Sequence, residues 1–200
     1  WTRVLAAGRR CRYGWPQALV YDPLYASRRL GDVARLTCPL LVEEISKLEA
    51  EGALKRFNER LLADAETRQE LARINAGYRD LRKSLLEGRD EELSAVRQNL
   101  GSDVADLIME TGLTRMKVNS TDVVCFHAHV ADEFTRGGNS IGQQVLAELL
   151  ARGVECQGSN ACCDHCNVSV PLGEGRWTFS KAKNKVGQRV RRMQRGPRTV

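Results

Sequence analysis

Apolar residues along the chain recur in two rhythms. Residues 17–21, QALVY, and 32–37, DVARLT, are short apolar-rich runs that predict two antiparallel strands. Pro23 and Gly31 lie between them, so the connection is longer than a two-residue turn. From Pro39 the period becomes helical. Leu41, Ile45 and Leu48 fall on one face, with Gly52 as the stop. Leu54, Phe57 and Leu61 predict a second helix, and Asp64 is placed to cap a third. In that third helix Leu71, Ile74, Tyr78, Leu81 and Leu85 alternate in steps of three and four, which keeps one apolar stripe on a long helix. Gly88 ends or interrupts it, and Leu93, Val96 and Leu100 extend the same habit. Such a stripe suits a coiled-coil seam or a helical hairpin packed on its own domain; a run of about three heptads favours the hairpin.

Further on, Ser102 is placed to cap a short helix carrying Val104, Leu107 and Ile108. Residues 123–134, VVCFHAHVADEF, predict a helix with Val123, Phe126, Val130 and Phe134 on its apolar side and Gly137-Gly138 at its end. Ser140 and Gln143 form a capping-box pattern ahead of Val145, Leu146, Leu149 and Leu150. The expected fold class is therefore mainly α with a small N-terminal β-hairpin, an α+β arrangement of helices packed around a Cys-rich site, with a basic C-terminal extension.

Charge divides the chain further. Of 31 Lys and Arg, nine stand in residues 176–200, where there is no Asp or Glu. Residues 1–36 carry seven Arg against Asp22 and Asp32. The remainder, 37–175, holds 15 basic and 23 acidic residues, so the formal net charge of +6 belongs to the two ends. This predicts a basic N-terminal segment over 1–16, one α-rich domain over 17–170 and a basic tail over 171–200. In the tail Lys181, Lys183, Lys185, Arg189, Arg191, Arg192 and Arg195 suit an anionic partner, either RNA or the acidic face of a large assembly. A solvated extension that keeps the protein soluble is the plainer alternative.

Composition excludes some classes. Mean hydropathy is −0.40, and no apolar run approaches the ~18–20 residues of a membrane span, so no transmembrane segment is expected. Aromatic residues make up 6%, which argues against base stacking as the main business. No Gly-rich phosphate loop or HExxH occurs.

Seven cysteines remain to be explained: Cys11, Cys38, Cys125, Cys156, Cys162, Cys163 and Cys166. Cys11 and Cys38 flank the predicted hairpin, whose antiparallel pairing brings its ends together. Cys125 and His127 sit near the start of one helix, and the late cysteines occupy a loop-like stretch able to reach back. Soft donors of this kind suit zinc or an iron–sulfur cluster better than magnesium or calcium. Disulfides in an oxidising compartment, or no joint site at all, are the alternatives, and an odd count leaves one thiol outside any all-disulfide scheme. His127 is the better histidine ligand because it lies beside Cys125, whereas His129 reads as a packed or capping side chain. Glu43, Glu44, Glu91 and Glu92 read as solvated helix faces, and Asp132 and Glu133, though worth watching, as surface.

In order, the motifs are C-x-Y-G-x-P from Cys11 to Pro16, L-T-C-P from Leu36 to Pro39, V-C-F-H from Val124 to His127, G-N-S-I-G from Gly138 to Gly142, and C-x-x-x-C at Cys162 and Cys166. Together they resemble an uncharacterised bacterial and plastid-lineage family, domain of unknown function 501, over about residues 9–166. That family often has a second Cys at the position of Tyr13 and a Pro at that of Ser140. The resemblance leaves Cys11, Cys38, Cys125 and Cys162 or Cys166 as the matching thiols, with His127, and it carries over no activity; Cys11, Cys38, Cys125, His127, Cys162 and Cys166 are the candidate metal ligands. With Trp1 in place of an initiating Met, the bacterial affinity implies an organellar protein of a chloroplast or mitochondrion.

Three functions are expected to compete. One is a non-catalytic accessory or structural protein with a thiolate metal site, docked by basic termini onto protein subunits of an organellar ribosome or membrane complex. The second is a thiol or iron–sulfur redox protein using Cys162-Cys163-Asp164-His165-Cys166. The third is an RNA-binding accessory factor acting through the tail.

Overall fold

The computed structural model describes residues 2–11, 14–26, 31–155, 177–183 and 189–195. The chain divides into two compact units, Trp1–Cys166 and Asn167–Val200.

The first unit is an α+β fold. It opens with a three-stranded antiparallel sheet in the order β1 (Thr2–Ala7), β2 (Ala18–Ala26), β3 (Ala34–Leu36). The expected hairpin is β2 with β3, in the register Ala18↔Leu36, Leu19↔Arg35, Val20↔Ala34. β1 is an addition within the basic segment. Its pairing with β2 is broken by two register shifts, and Val4 and Leu5 are exposed, so it carries no inward–outward alternation for a pattern to reveal.

Seven helices follow among the described residues: α1 (Pro39–Ala50), α2 (Ala53–Ala63), α3 (Ala65–Leu86), α4 (Asp90–Leu100), α5 (Ser102–Glu110), α6 (Phe126–Thr135) and α7 (Ser140–Ala151). None is long and apolar enough to cross a membrane. The predicted stripes face one core. Leu41, Ile45 and Leu48 of α1, Phe57 and Leu61 of α2, Leu71, Ile74 and Tyr78 of α3, and Phe126, Val130 and Phe134 of α6 are all buried in it. Each such side chain contributes about 1.5–3 kcal/mol on burial. The α3 stripe therefore packs within its own unit, as the hairpin reading expects. α3 stops before Gly88, whose φ of 72° suits a residue without a Cβ. Leu93 and Val96 of α4 instead pack on a smaller cluster of Leu24, Leu86 and Ile108.

Caps agree with the sequence in one case and differ in two. Asp64 accepts hydrogen bonds from the backbone N–H groups of Glu66 and Thr67 at the start of α3. Ser102 and Ser140, by contrast, each lie inside the first turn of a helix. Asn139 caps α7 through Oδ1, which accepts from Gly142 N–H at 2.9 Å, while the Ser140 hydroxyl donates to Glu70 at 2.8 Å. Gly142 also marks a close approach: a Cβ there would lie 2.5 Å from the His129 carbonyl oxygen, so α7 can sit against α6 only with glycine at this point.

One charged residue belongs to the interior. Arg82 is fully buried and donates to the carbonyls of Gly31, Ile108, Thr111 and Gly112 at 2.5, 2.7, 2.7 and 3.2 Å. Its neighbour Tyr78 accepts through its hydroxyl oxygen from the N–H groups of Val33 and Ala34. Together they fasten the approach to β3 and the end of α5 to α3.

The described residues of the second unit are two antiparallel strands, β4 (Trp177–Lys183) and β5 (Arg189–Arg195). Pairs run from Trp177↔Arg195 to Lys183↔Arg189 without a register shift. The predicted tail therefore contains strands.

Candidate metal centre

α1 buries Leu41, Ile45 and Leu48, so the neighbouring stripe of Val42, Ser46 and Glu49 flanks the core face. That stripe meets the first turn of α6. Cys125 precedes α6 in an extended conformation, φ −161° and ψ 116°, and its side chain makes no capping bond. Glu49 caps the helix in its place: its Oε1 accepts from Phe126 N–H at 2.7 Å. A carboxylate at a helix N-terminus is also favoured by the helix dipole. The Phe126 ring stands edge-on to Phe57 at 5.8 Å and holds this turn on the core.

This packing gathers Glu49, Cys125 and His127, whose donor atoms lie within 4.8 Å of one another. Cys125 Sγ is 3.6 Å from His127 Nδ1, and Glu49 Oε1 is 3.3 Å from the same nitrogen. The other ring nitrogen, Nε2, lies 3.1 Å from the Val42 carbonyl oxygen and 3.2 Å from Ser46 Oγ. The Ser46 hydroxyl spends its own proton on the Val42 carbonyl, at 2.7 Å. Both partners of Nε2 are thus acceptors, so Nε2 carries a proton, and in the neutral ring Nδ1 keeps its lone pair for the side shared with sulfur and carboxylate. Burial lowers the pKa of His127, but the Cys125 sulfur, the Glu49 carboxylate and the Val42 carbonyl outweigh it and push the group up to about 10. Cys125 is half-buried, and the His127 and Glu49 side chains keep 23% and 21% of their exposure, so the group reaches the surface.

His129, two residues on, has the opposite surroundings. It is 3% exposed, and its Nδ1 lies 3.2 Å from Asn139 Oδ1. Asn139 turns its amide nitrogen to Asp132 Oδ2 at 2.8 Å, and Arg136 donates to both Asp132 oxygens at 3.0 and 2.7 Å. Burial draws the His129 pKa down to about 4, against the pull of Asn139 and Asp132. The packed reading of His129 is what the structure has. The surface reading of Asp132 is overturned: it is fully buried, because Arg136 and Asn139 satisfy its carboxylate from inside the fold. Glu133 stays half-buried and accepts from Asn139 N–H and from the Gln143 amide.

Of the predicted ligands, the structure brings together Cys125 and His127. Cys11 and Cys38 are buried, at 6% and 5% exposure, and neither belongs to the Glu49–Cys125–His127 group. The backbone does draw their two segments onto one residue, since Gln17 N–H donates to the Arg9 carbonyl and the Gln17 carbonyl accepts from Cys38 N–H. Cys162 and Cys166 lie outside the described residues, as does Lys185 of the tail. Glu49 is the member that sequence reading missed. Its only signal is a position one residue beyond the core-facing Leu48.

A family model described as protein of unknown function (DUF501) matches residues 7–147. The span contains Cys11, Cys38, Glu49, Cys125 and His127, and it ends before the late cysteines and the hairpin of β4 and β5. No curated protein and no solved structure matches the chain.

Proposed function

The chain belongs to the DUF501 family, and we propose that it is a non-catalytic accessory protein that holds one zinc-class ion on Glu49, Cys125 and His127 and docks onto a larger assembly through its basic ends. The observation that carries the metal reading is a spacing. A tetrahedral zinc ion with its usual bond lengths separates a thiolate sulfur from an imidazole nitrogen by about 3.6 Å, and that nitrogen from a carboxylate oxygen by about 3.4 Å. The protein holds these atoms at 3.6 and 3.3 Å. The Nε2–H group turned to a carbonyl is the outer contact that orients a metal-binding histidine. One thiolate, one imidazole and one carboxylate suit zinc, whereas an iron–sulfur cluster asks for a fuller set of thiolates. An ion here ties α1 to the start of α6, so its binding energy adds to folding energy. Three donors leave one position of a tetrahedron for water or for one of the late cysteines.

Elemental analysis of the full chain, followed by cobalt(II) substitution, tests this. The expected result is one ion per chain and a sulfur-to-cobalt charge-transfer band that Cys125→Ser removes. His127→Ala and Glu49→Ala each weaken binding by more than the ~10–100-fold that loss of an outer contact costs. Cys162→Ser and Cys166→Ser identify the fourth donor. A metal content indifferent to Cys125, His127 and Glu49 overturns the reading. The sulfur–imidazole contact at 3.6 Å favours a second reading, a reactive thiol. Metal-free protein as isolated, with Cys125 alkylated ahead of the other thiols, decides for it.

A further inference from the structure

We infer that one face of the C-terminal hairpin binds single-stranded nucleic acid. The inference names the partner for the docking half of the proposed function and is independent of the metal half. Residues directly opposite in an antiparallel ladder share a face, and successive residues alternate between faces. The register therefore assigns Lys181, Lys183, Arg189, Arg191 and Arg195 to one face and Arg192 to the other. The same face holds Trp177 and Phe179, two of the few aromatic residues in the chain. The opposite face is Thr178, Ser180, Ala182, Val190, Arg192 and Gln194.

This distribution points to one class of partner. A membrane-surface element sets its apolar residues on one face and its charges on the other. Here cations and aromatics share a single face, with Trp177 and Phe179 in the rows of Arg195 and Met193 and the other four cations in the next two rows, and a face that carries both can grip phosphates while bases stack on rings. Same-face positions are about 6.7 Å apart along a strand and about 4.8 Å across it. Lys181, Lys183, Arg189 and Arg191 thus each stand within a screening length of roughly 8 Å of a neighbouring cation and act on a polyanion together, while Arg195 stands about 13 Å beyond Arg191. The hairpin also has a reason to want that partner. Lys181 stands directly opposite Arg191, and Lys183 opposite Arg189. Like charges at such positions oppose pairing until counter-charge arrives.

The test uses the full chain and fluorescence anisotropy with labelled uridine-rich RNA, and its DNA counterpart, about 12 nucleotides long, a length within the usual site size. Five phosphate contacts predict a slope of log affinity against log salt near −3.5, and the combined variant Arg189→Gln, Arg191→Gln, Arg195→Gln brings it to about −1.4. Trp177→Ala with Phe179→Ala weakens binding about tenfold or more, through lost stacking. Arg192→Gln, on the other face, changes affinity less than any single arginine of the binding face. An unchanged melting temperature of the first unit shows that each variant is otherwise intact. The RNA and DNA arms say which strand is preferred, and either supports the inference. Tighter binding to heparin or duplex than to single strands, preference for anionic vesicles, or equal losses from both faces overturns it. If oligonucleotides do not bind and the chain still migrates with a large assembly on native fractionation, docking stands and this inference falls.

Discussion

His127 and His129 are two residues apart on one helix and live under opposite physics. At the first turn of α6, His127 meets Cys125 and Glu49 where the group reaches solvent, and its donors converge on one point. On the inner side, His129 enters a buried network in which Nδ1 meets Asn139, and Asn139 and Arg136 both donate to Asp132. A helix turns about 100° per residue, so the two rings of an H-x-H motif diverge. The consequence is a division of labour. The inner half uses polar groups to hold α6 on α7 and α3. The outer half gathers a thiol, an imidazole and a carboxylate where they reach solvent, and its carboxylate also caps α6.

The largest expected effect strikes the inner half. Asp132→Ala strands Arg136 and Asn139 without their carboxylate and costs about 3 kcal/mol or more in urea unfolding. Cys125→Ser, two turns away and half-buried, costs less than about 1 kcal/mol in metal-free protein. Comparable losses at the two sites break the contrast.

Next in size is the response to metal. Zinc at one hundred times its dissociation constant stabilises the wild-type chain by about 2.7 kcal/mol, a shift of several degrees in thermal melting. His127→Ala abolishes that shift, whereas His129→Gln, though destabilised, keeps it. A shift that disappears with His129 instead shows that the inner network supplies the ligand.

The finest test is pH. His129 has a folded pKa near 4, below the ordinary value of 6.5, so the unfolded chain takes up a proton that the folded chain refuses. Stability therefore falls as pH drops from 6.5 towards 4, and His129→Gln flattens that acid limb. His127 has a folded pKa near 10 in the metal-free protein, so its contribution is full below pH 6.5 and is lost as pH rises towards 10. His127→Gln flattens the alkaline limb. Proton NMR of the imidazole resonances reads the two titrations directly, and a common midpoint for both rings removes the distinction.

Much of the architecture is legible along the chain. The stripes of α1, α2, α3 and α6 are visible because an element half-immersed in a core must repeat its apolar residues at its own backbone period. β1 is invisible for the converse reason: its Val4 and Leu5 face solvent, and nothing enforces alternation. Arg82 interrupts an apolar stripe as a solvated residue does, yet it is buried because four carbonyls converge on its guanidinium from β2–β3 and α5. Ser140 resembles a cap as closely as Asn139 does, and the choice rests on which side chain reaches Gly142 N–H.

The candidate site divides in the same way. Cys125 and His127 are neighbours in sequence, so their chemistry was readable together. Glu49 joins them across 78 residues, and only the packing of α1 against α6 decides that it does. Helical period, glycine stops and the contrast between an acidic body and basic ends are properties of neighbouring residues, and the sequence by itself determined them. The meeting of a carboxylate, a thiol and an imidazole was decided by tertiary structure, because apolar burial sets how helices cross and the polar side chains on their flanks are carried wherever that crossing puts them.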